Sequence, residues 1–132
     1  MVAFPGLAHT AVTVSDLDAS TQWYTALFGA PPVLEEEEQS GNFRHAVFVL
    51  DGGTLFGLHA HRDAGASPGF DERRVGLDHI AFGCTQQDLD QWQARLDELG
   101  IAHGDIVAAP YGSGLSFRDP DNIALEFFAP PQ

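Results

Sequence analysis

The chain switches repeatedly between two hydrophobic periods. From His9 to Val14 apolar side chains fall at every second position, as in a half-buried strand. The pattern returns later: Leu7-Ala8-His9-Thr10-Ala11-Val12 recurs as Leu77-Asp78-His79-Ile80-Ala81-Phe82. A helical period follows each copy. Ser15 or Asp16 caps a first helix in which Ala19, Trp23 and Leu27 recur at four-residue spacing, with Gly29 and Pro31-Pro32 as stops. Thr85 caps a second helix that presents Leu89, Trp92, Leu96 and Leu99 on one face before Gly100. Both apolar stripes are expected to pack on the back of a sheet, with the two tryptophans as packing residues. Strand-like runs come next: Pro32 to Glu38, Phe43 to Leu50 and Thr54 to His61, then Ile106 to Ala109, Gly114 to Arg118 and Ile123 to Phe128. Asp51-Gly52-Gly53 and Asp119-Pro120-Asp121-Asn122 mark tight turns before the last strand of each copy.

The order β-α-β-β-β, twice, predicts an α+β fold of two βαβββ modules. Module 1 covers residues 1–63 and module 2 residues 72–132, joined by a linker, 64–71, rich in Gly, Ala and Ser. A chain of 132 residues suits a single domain, 1–132, better than two independent ones.

Strand alternation sorts the side chains by face. His9, Ala11 and Thr13 share one side of the first strand, and His79, Ala81 and Gly83 share the matching side of its counterpart. The all-apolar sets, Val12 and Val14 or Ile80 and Phe82, face the helices. In the last strand Ile123, Leu125 and Phe127 form the apolar set, which leaves Ala124, Glu126 and Phe128 on the histidine side.

Composition narrows the chemistry. Six arginines and no lysine stand against 19 carboxylates, a formal charge of −13 that repels a phosphate backbone, so no nucleic-acid partner is expected. Schiff-base and phosphate-loop lysines are excluded outright. One cysteine, Cys84, makes neither an internal disulfide nor a thiolate zinc cluster. No apolar run approaches the roughly 20 residues of a membrane span and no secretory leader is evident, which gives a cytoplasmic expectation with no membrane partner.

Any metal site must therefore use His and carboxylate. One histidine in a strand is ordinarily structural; two at matching repeat positions, with Glu126 on the same face, are costly to bury unless they bind something. A divalent cation offsets that cost, and two His with one carboxylate leave positions open for substrate or water. His9, His79 and Glu126 are the expected ligands. Stepping on from His9 by nearly the distance that separates Glu126 from His79 reaches Gly57, whereas one short insertion aligns His59 with Glu126 instead. Gly57, His59 and His61 share strand parity. His59 reads as a fourth ligand, a group behind the ligands or a pocket-lining acid/base.

Leu77-Asp78-His79-Ile80-Ala81-Phe82, the helix ending Leu99-Gly100-Ile101, and Phe117-Arg118-Asp119-Pro120-Asp121-Asn122-Ile123-Ala124-Leu125-Glu126 together resemble the vicinal oxygen chelate superfamily. It includes glyoxalase I, fosfomycin and bleomycin resistance proteins and extradiol dioxygenases, and the resemblance spans essentially the whole chain. It implies a cupped mixed sheet of paired modules. It also implies one divalent metal (Fe, Mn, Zn, Ni or Co) that binds substrate oxygens and stabilises an enolate, alkoxide or peroxide. Family ligands carry over to His9, His79 and Glu126; glyoxalase I enzymes look for a Glu or Gln where this chain offers Gly57 or His59. Modules of this kind pair within one chain or across a dimer, and a homodimer binding a small-molecule substrate is the expected assembly.

Among other residues, Glu35-Glu36-Glu37-Glu38 reads as a solvated strand edge. Tyr111 and Arg118 lie where they can hold an anionic or phenolic substrate, though Asp119 and Asp121 offer Arg118 structural partners. Cys84 reads as a core residue, and His45 and His103 as surface or packing residues. The reading that follows is a metal-dependent lyase, isomerase or dioxygenase acting on a small, partly apolar substrate with vicinal oxygens, Glu126 and His59 being its candidate acid/base groups. Its rivals are an antibiotic-binding resistance protein without catalysis and a metal-free structural dimer, the latter leaving Glu126 without a partner.

Overall fold

The computed structural model describes residues 2–65 and 67–132; Met1, and Ala66 of the expected linker, lie outside the described residues. The chain divides into two compact units, Met1–Ser67 and Pro68–Gln132. The first holds β1 (His9–Thr13), α1 (Leu17–Phe28), β2 (Leu34–Glu37), β3 (Phe43–Val49) and β4 (Leu55–His61). The second holds β5 (Ile80–Gly83), α2 (Gln86–Glu98), β6 (Val107–Ala109), β7 (Gly112–Arg118) and β8 (Ala124–Ala129). Each unit is thus one βαβββ module with a four-stranded mixed sheet, ordered β1-β4-β3-β2 and β5-β8-β7-β6. In both, the first strand runs parallel to the last and the remaining pairs are antiparallel.

Local chemistry explains the helix limits. Asp16 is the cap of α1, accepting from the Ala19 N–H at 3.1 Å, and Gly29 closes the helix in the left-handed region at φ 73°. Thr85 and Asp88 form a reciprocal capping box at the start of α2. The stripe of α1 differs from the expected one: Leu17, Ser20, Tyr24 and Leu27 are buried, while Ala19 is exposed and Trp23 only partly covered. Spacings of three and four keep a helix stripe over one side, whereas repeated steps of four drift around it. Tyr24 sits fully buried among Phe28, Phe48 and Phe56, with ring centroids 5.7, 6.4 and 5.2 Å away. In the second unit Leu89 and Leu96 are buried and Trp92 stacks on Phe127, centroids 4.0 Å apart at 12°.

Alternation sorts the large apolar side chains of the inner strands to one face of each sheet. Val12, Ala46, Phe48, Phe56 and Leu58 are buried on one face of the first sheet, and Leu115, Phe117, Leu125 and Phe127 on one face of the second. The opposite faces carry His9 and Glu126. At the far edge of the first sheet β2 is exposed along its length, and its Glu37 pairs with Arg62 at 2.7 Å.

The expected linker is not free along its length. Phe70, in its last part, belongs to the second unit, where its N–H donates to the Asp121 carbonyl at 3.3 Å and its carbonyl accepts from Asn122 Nδ2 at 3.2 Å. The turn it touches is held by Asp119, which is buried and accepts from the N–H groups of Asp121 (2.8 Å) and Ile123 (2.9 Å), while Asn122 takes the left-handed conformation at φ 66°. This turn sets the β7–β8 register that brings Ser116 opposite Glu126.

Two substitutions check these assignments by chemical denaturation. Asp119→Ala strands two turn N–H groups and is expected to destabilise the protein by about 1–3 kcal/mol. Ser20→Ala is expected to be neutral or stabilising by up to about 1 kcal/mol, because the Ser20 hydroxyl is buried on α1 without a hydrogen-bond partner.

Candidate functional site

In the second unit the parallel pairing of β5 with β8 puts Ala81 beside Glu126, and His79, just before β5, on the same face. His79 Nδ1 lies 2.7 Å from Asp78 Oδ1, which turns Nε2 towards Glu126, 3.6 Å from Oε1. The Glu126 side chain is 22 % exposed and His79 48 %. Beneath the carboxylate lies Gly114, where a Cβ would stand 2.9 Å from Glu126 Oε2; only glycine leaves that oxygen its place.

Two hollows flank this pair. One, of about 260 Å³, is ionic and is lined by Glu72, Asp78, His79, Ser116, Arg118 and Glu126 among others. The other, also about 260 Å³, reaches from His79 and Glu126 to Val107, Ala109, Tyr111 and Phe128. Tyr111 is 74 % exposed and its ring lies nearly parallel to Phe128, centroids 6.5 Å apart. Arg118 is indeed held by a carboxylate, but by Glu72 and not by its neighbours in the turn. Asp119 is committed to backbone N–H groups instead.

The corresponding face of the first unit carries a different set. The β1–β4 register places Ala11 opposite Gly57, as Ala81 is opposite Glu126, so Gly57 is the counterpart of Glu126. His59, opposite Thr13, matches Phe128, opposite Gly83, and the short insertion that would align His59 with Glu126 does not occur. His9 opens β1 and is exposed. The His59 ring stacks on Phe43 at 4.7 Å and meets His45 edge-on at 5.3 Å. His45 is 15 % exposed, and its Nε2 lies 2.9 Å from Glu36 Oε1. Burial, then the neighbouring imidazoles of His45, His61 and His9, hold His59 below its ordinary pKa of 6.5, so it is a neutral base at neutral pH.

The second unit therefore brings together His79 and Glu126, with Arg118 and Tyr111 in the adjoining hollows; the first places His9 and His59 on one sheet face. Among the described residues, within neither unit do three His, Cys, Asp or Glu side chains gather as a metal group. Three participants were not legible as such: Asp78, which orients His79; Glu72; and His45. Counting back through the Asp51-Gly52-Gly53 turn pairs His45 with His59, a signal present in the sequence. Glu72 lies in an irregular segment where no periodicity points to it. Cys84 is partly buried, and burial raises its thiol pKa. His103 is tied to Asp97 at 2.7 Å and to the Gly104 carbonyl.

Residues 6–127 match the Glyoxalase/Bleomycin resistance protein/Dioxygenase superfamily. The chain belongs to this superfamily. Among curated relatives, a metallothiol transferase FosB from Shouchella clausii is 30 % identical over 127 residues, covering 92 % of this chain and 77 % of the relative. Biphenyl-2,3-diol 1,2-dioxygenase 3 from Rhodococcus globerulus is 31 % identical over 143 residues, covering 100 % and 69 %. A solved glyoxylase/bleomycin resistance protein/dioxygenase domain from Frankia sp. EAN1pec superposes with a TM-score of 0.86 at 37 % identity, covering 98 % of this chain and 95 % of that one. No described helix of this superfamily member is long and apolar enough to cross a membrane.

Side-chain NMR titration checks the electrostatics. His59 is expected to titrate below 6.5 and His103 above it, the latter raised by its bonds to Gly104 and Asp97. His45→Ala is expected to move the His59 midpoint upward, because it removes an imidazole that lowers the His59 pKa and part of the burial that does the same. By linkage, His59 favours the folded state above pH 6.5, and that contribution is lost as the pH falls through its lowered folded-state value.

Proposed function

We propose that the chain is a divalent-metal-dependent enzyme acting on a small, partly apolar substrate with vicinal oxygens. The observation that carries this reading is the His79–Glu126 pair. An imidazole with Nδ1 already engaged and Nε2 turned to a carboxylate 3.6 Å away, over a glycine that leaves the carboxylate room, is a donor set suited to a borderline divalent ion. His9, which holds in the first module the position His79 holds in the second, is assigned a ligand's role as well, and Gly57 in the place of Glu126 adds no carboxylate there. Coordination positions are left to substrate and water. The names of the relatives support a metal and a vicinal diol: one is a metallothiol transferase, the other a dioxygenase of a biphenyl-2,3-diol.

When bound, the ion would act as a Lewis acid that stabilises negative charge developing on substrate oxygens. The remaining work falls to the chain. Asp78 fixes the His79 tautomer by accepting from Nδ1–H. Glu126, with one oxygen towards His79, has a second that can take or return a proton. Val107, Ala109 and Phe128 offer an apolar wall to the apolar end of the substrate, with Tyr111 at the rim. His59, kept neutral by its surroundings, is assigned as an acid/base group on the first unit's face.

Elemental analysis of protein purified without a metal-affinity tag is expected to show near-stoichiometric metal, abolished by His79→Ala or Glu126→Gln. Metal-free protein at neutral pH would sink the proposal. Gly114→Ala is expected to weaken metal binding on the order of tenfold or more, by crowding Glu126 Oε2. Metal should leave as the pH falls towards about 5, since the imidazoles must be neutral to ligate, and retention there would rule out histidine ligation. Oxygen uptake with catechols, set against lyase activity with thiol hemiacetals, then divides the reaction classes.

A further inference from the structure

Arg118 and Glu72 meet edge to edge. Arg118 Nη1 donates to Glu72 Oε2 at 2.9 Å and Nη2 donates to Oε1 at 3.0 Å, while Nη1 also donates to the Asn122 carbonyl at 3.2 Å. Both residues line the ionic hollow that His79 and Glu126 share. On β7, Arg118 stands on the same face as Ser116, which is opposite Glu126. An arginine so placed is a ready anchor for a carboxylate or phosphonate, because its fork matches both oxygens. Here the fork is already filled by a carboxylate of the chain.

The backbone that carries Glu72 is tethered. Two residues earlier, Phe70 is bonded through both its N–H and its carbonyl to the Asp121–Asn122 turn, and between them Asp71 is engaged by Arg73 at 2.9 and 3.0 Å. A tethered carboxylate competes at a high effective concentration that a dissolved anion does not match. The other carboxylates lining the hollow, Asp78 and Glu126, add repulsion towards an incoming anion. The apolar hollow on the far side of Glu126 suits a ring or alkyl end.

We propose that Glu72 is a specificity-determining residue: it occupies the anion-binding edge of Arg118, so that the site takes uncharged, oxygen-bearing substrates such as phenols, diols or hydroxyketones and excludes anionic ones. This rests on the reading that the substrate meets the His79–Glu126 pair. The hydrogen bonds from Arg118 hold the Glu72 pKa down at about 2, so the filter is ionised throughout the neutral range.

Calorimetric binding of catechol and of benzoate to the protein as purified, to Glu72→Gln and to Glu72→Gln/Arg118→Met tests the proposal. Catechol is expected to bind wild type and Glu72→Gln alike. Benzoate is expected to bind Glu72→Gln on the order of tenfold more tightly than wild type, and the gain to vanish in the double variant. Benzoate binding wild type as tightly as Glu72→Gln, or a gain that survives Arg118→Met, overturns it. A measurement on wild type alone guards against a variant that fails to fold: excess benzoate should leave the Glu72 carboxylate ¹³C resonance unmoved, and a shift to the free-carboxylate position shows displacement and also overturns the proposal. Metal content is measured on the same preparation. Its absence defeats the metal reading and leaves the contrast between the two probes intact.

Discussion

Parallel pairing of the first strand with the last is the constraint on which each module depends. Two parallel neighbours cannot be joined by a tight turn, so the chain must leave β1 or β5, cross the sheet as a helix and return through a meander. The helix covers one face of the sheet. The opposite face is left to whatever side chains the first and last strands present together, and the register decides which those are. In the second unit it makes Ala81 and Glu126 neighbours and brings His79 to the same side. The buried Asp119 turn sets the neighbouring β7–β8 register, which places Ser116 opposite Glu126. The Asp-Pro-Asp-Asn run that marks the superfamily in the sequence is therefore turn chemistry first. Its functional value lies in the alignment it imposes a few residues later.

The two modules share this frame and use it differently. Where the second unit has Glu126, the first has Gly57; where the second has Phe128 and Gly114, the first has His59 and His45. One face offers a carboxylate over a glycine and an apolar hollow beside it. The other is crowded with imidazoles packed on Phe43. A common backbone thus supports two faces of different chemistry, one with a carboxylate beside an imidazole and the other lined by imidazoles.

Much of this was legible because strand and helix periods are local. The order of elements, the cap at Thr85, the choice of Ser15 or Asp16 for α1, and the side on which Glu126 would lie all follow from alternation and turn chemistry. The four-residue repeat of Ala19, Trp23 and Leu27 is not the buried stripe of α1, because the three-and-four spacing through Leu17, Ser20, Tyr24 and Leu27 decides which residues face the sheet. Glu72 was out of reach for a different reason. Its role comes from a contact between an irregular segment and a strand far along the chain, and nothing periodic announces such a contact.

The acidic run on β2 has one further consequence. A strand at a sheet edge offers unpaired N–H and C=O groups to any passing extended chain. On this edge a newcomer would have to lie along Glu35, Glu36 and Glu37, two of them already tied to His45 and Arg62. The edge is in effect insulated, and another copy of the same strand would be the least welcome arrival, since it would bring its own carboxylates with it. The edge of the second unit, Val107-Ala108-Ala109, carries no such charge and relies on being short.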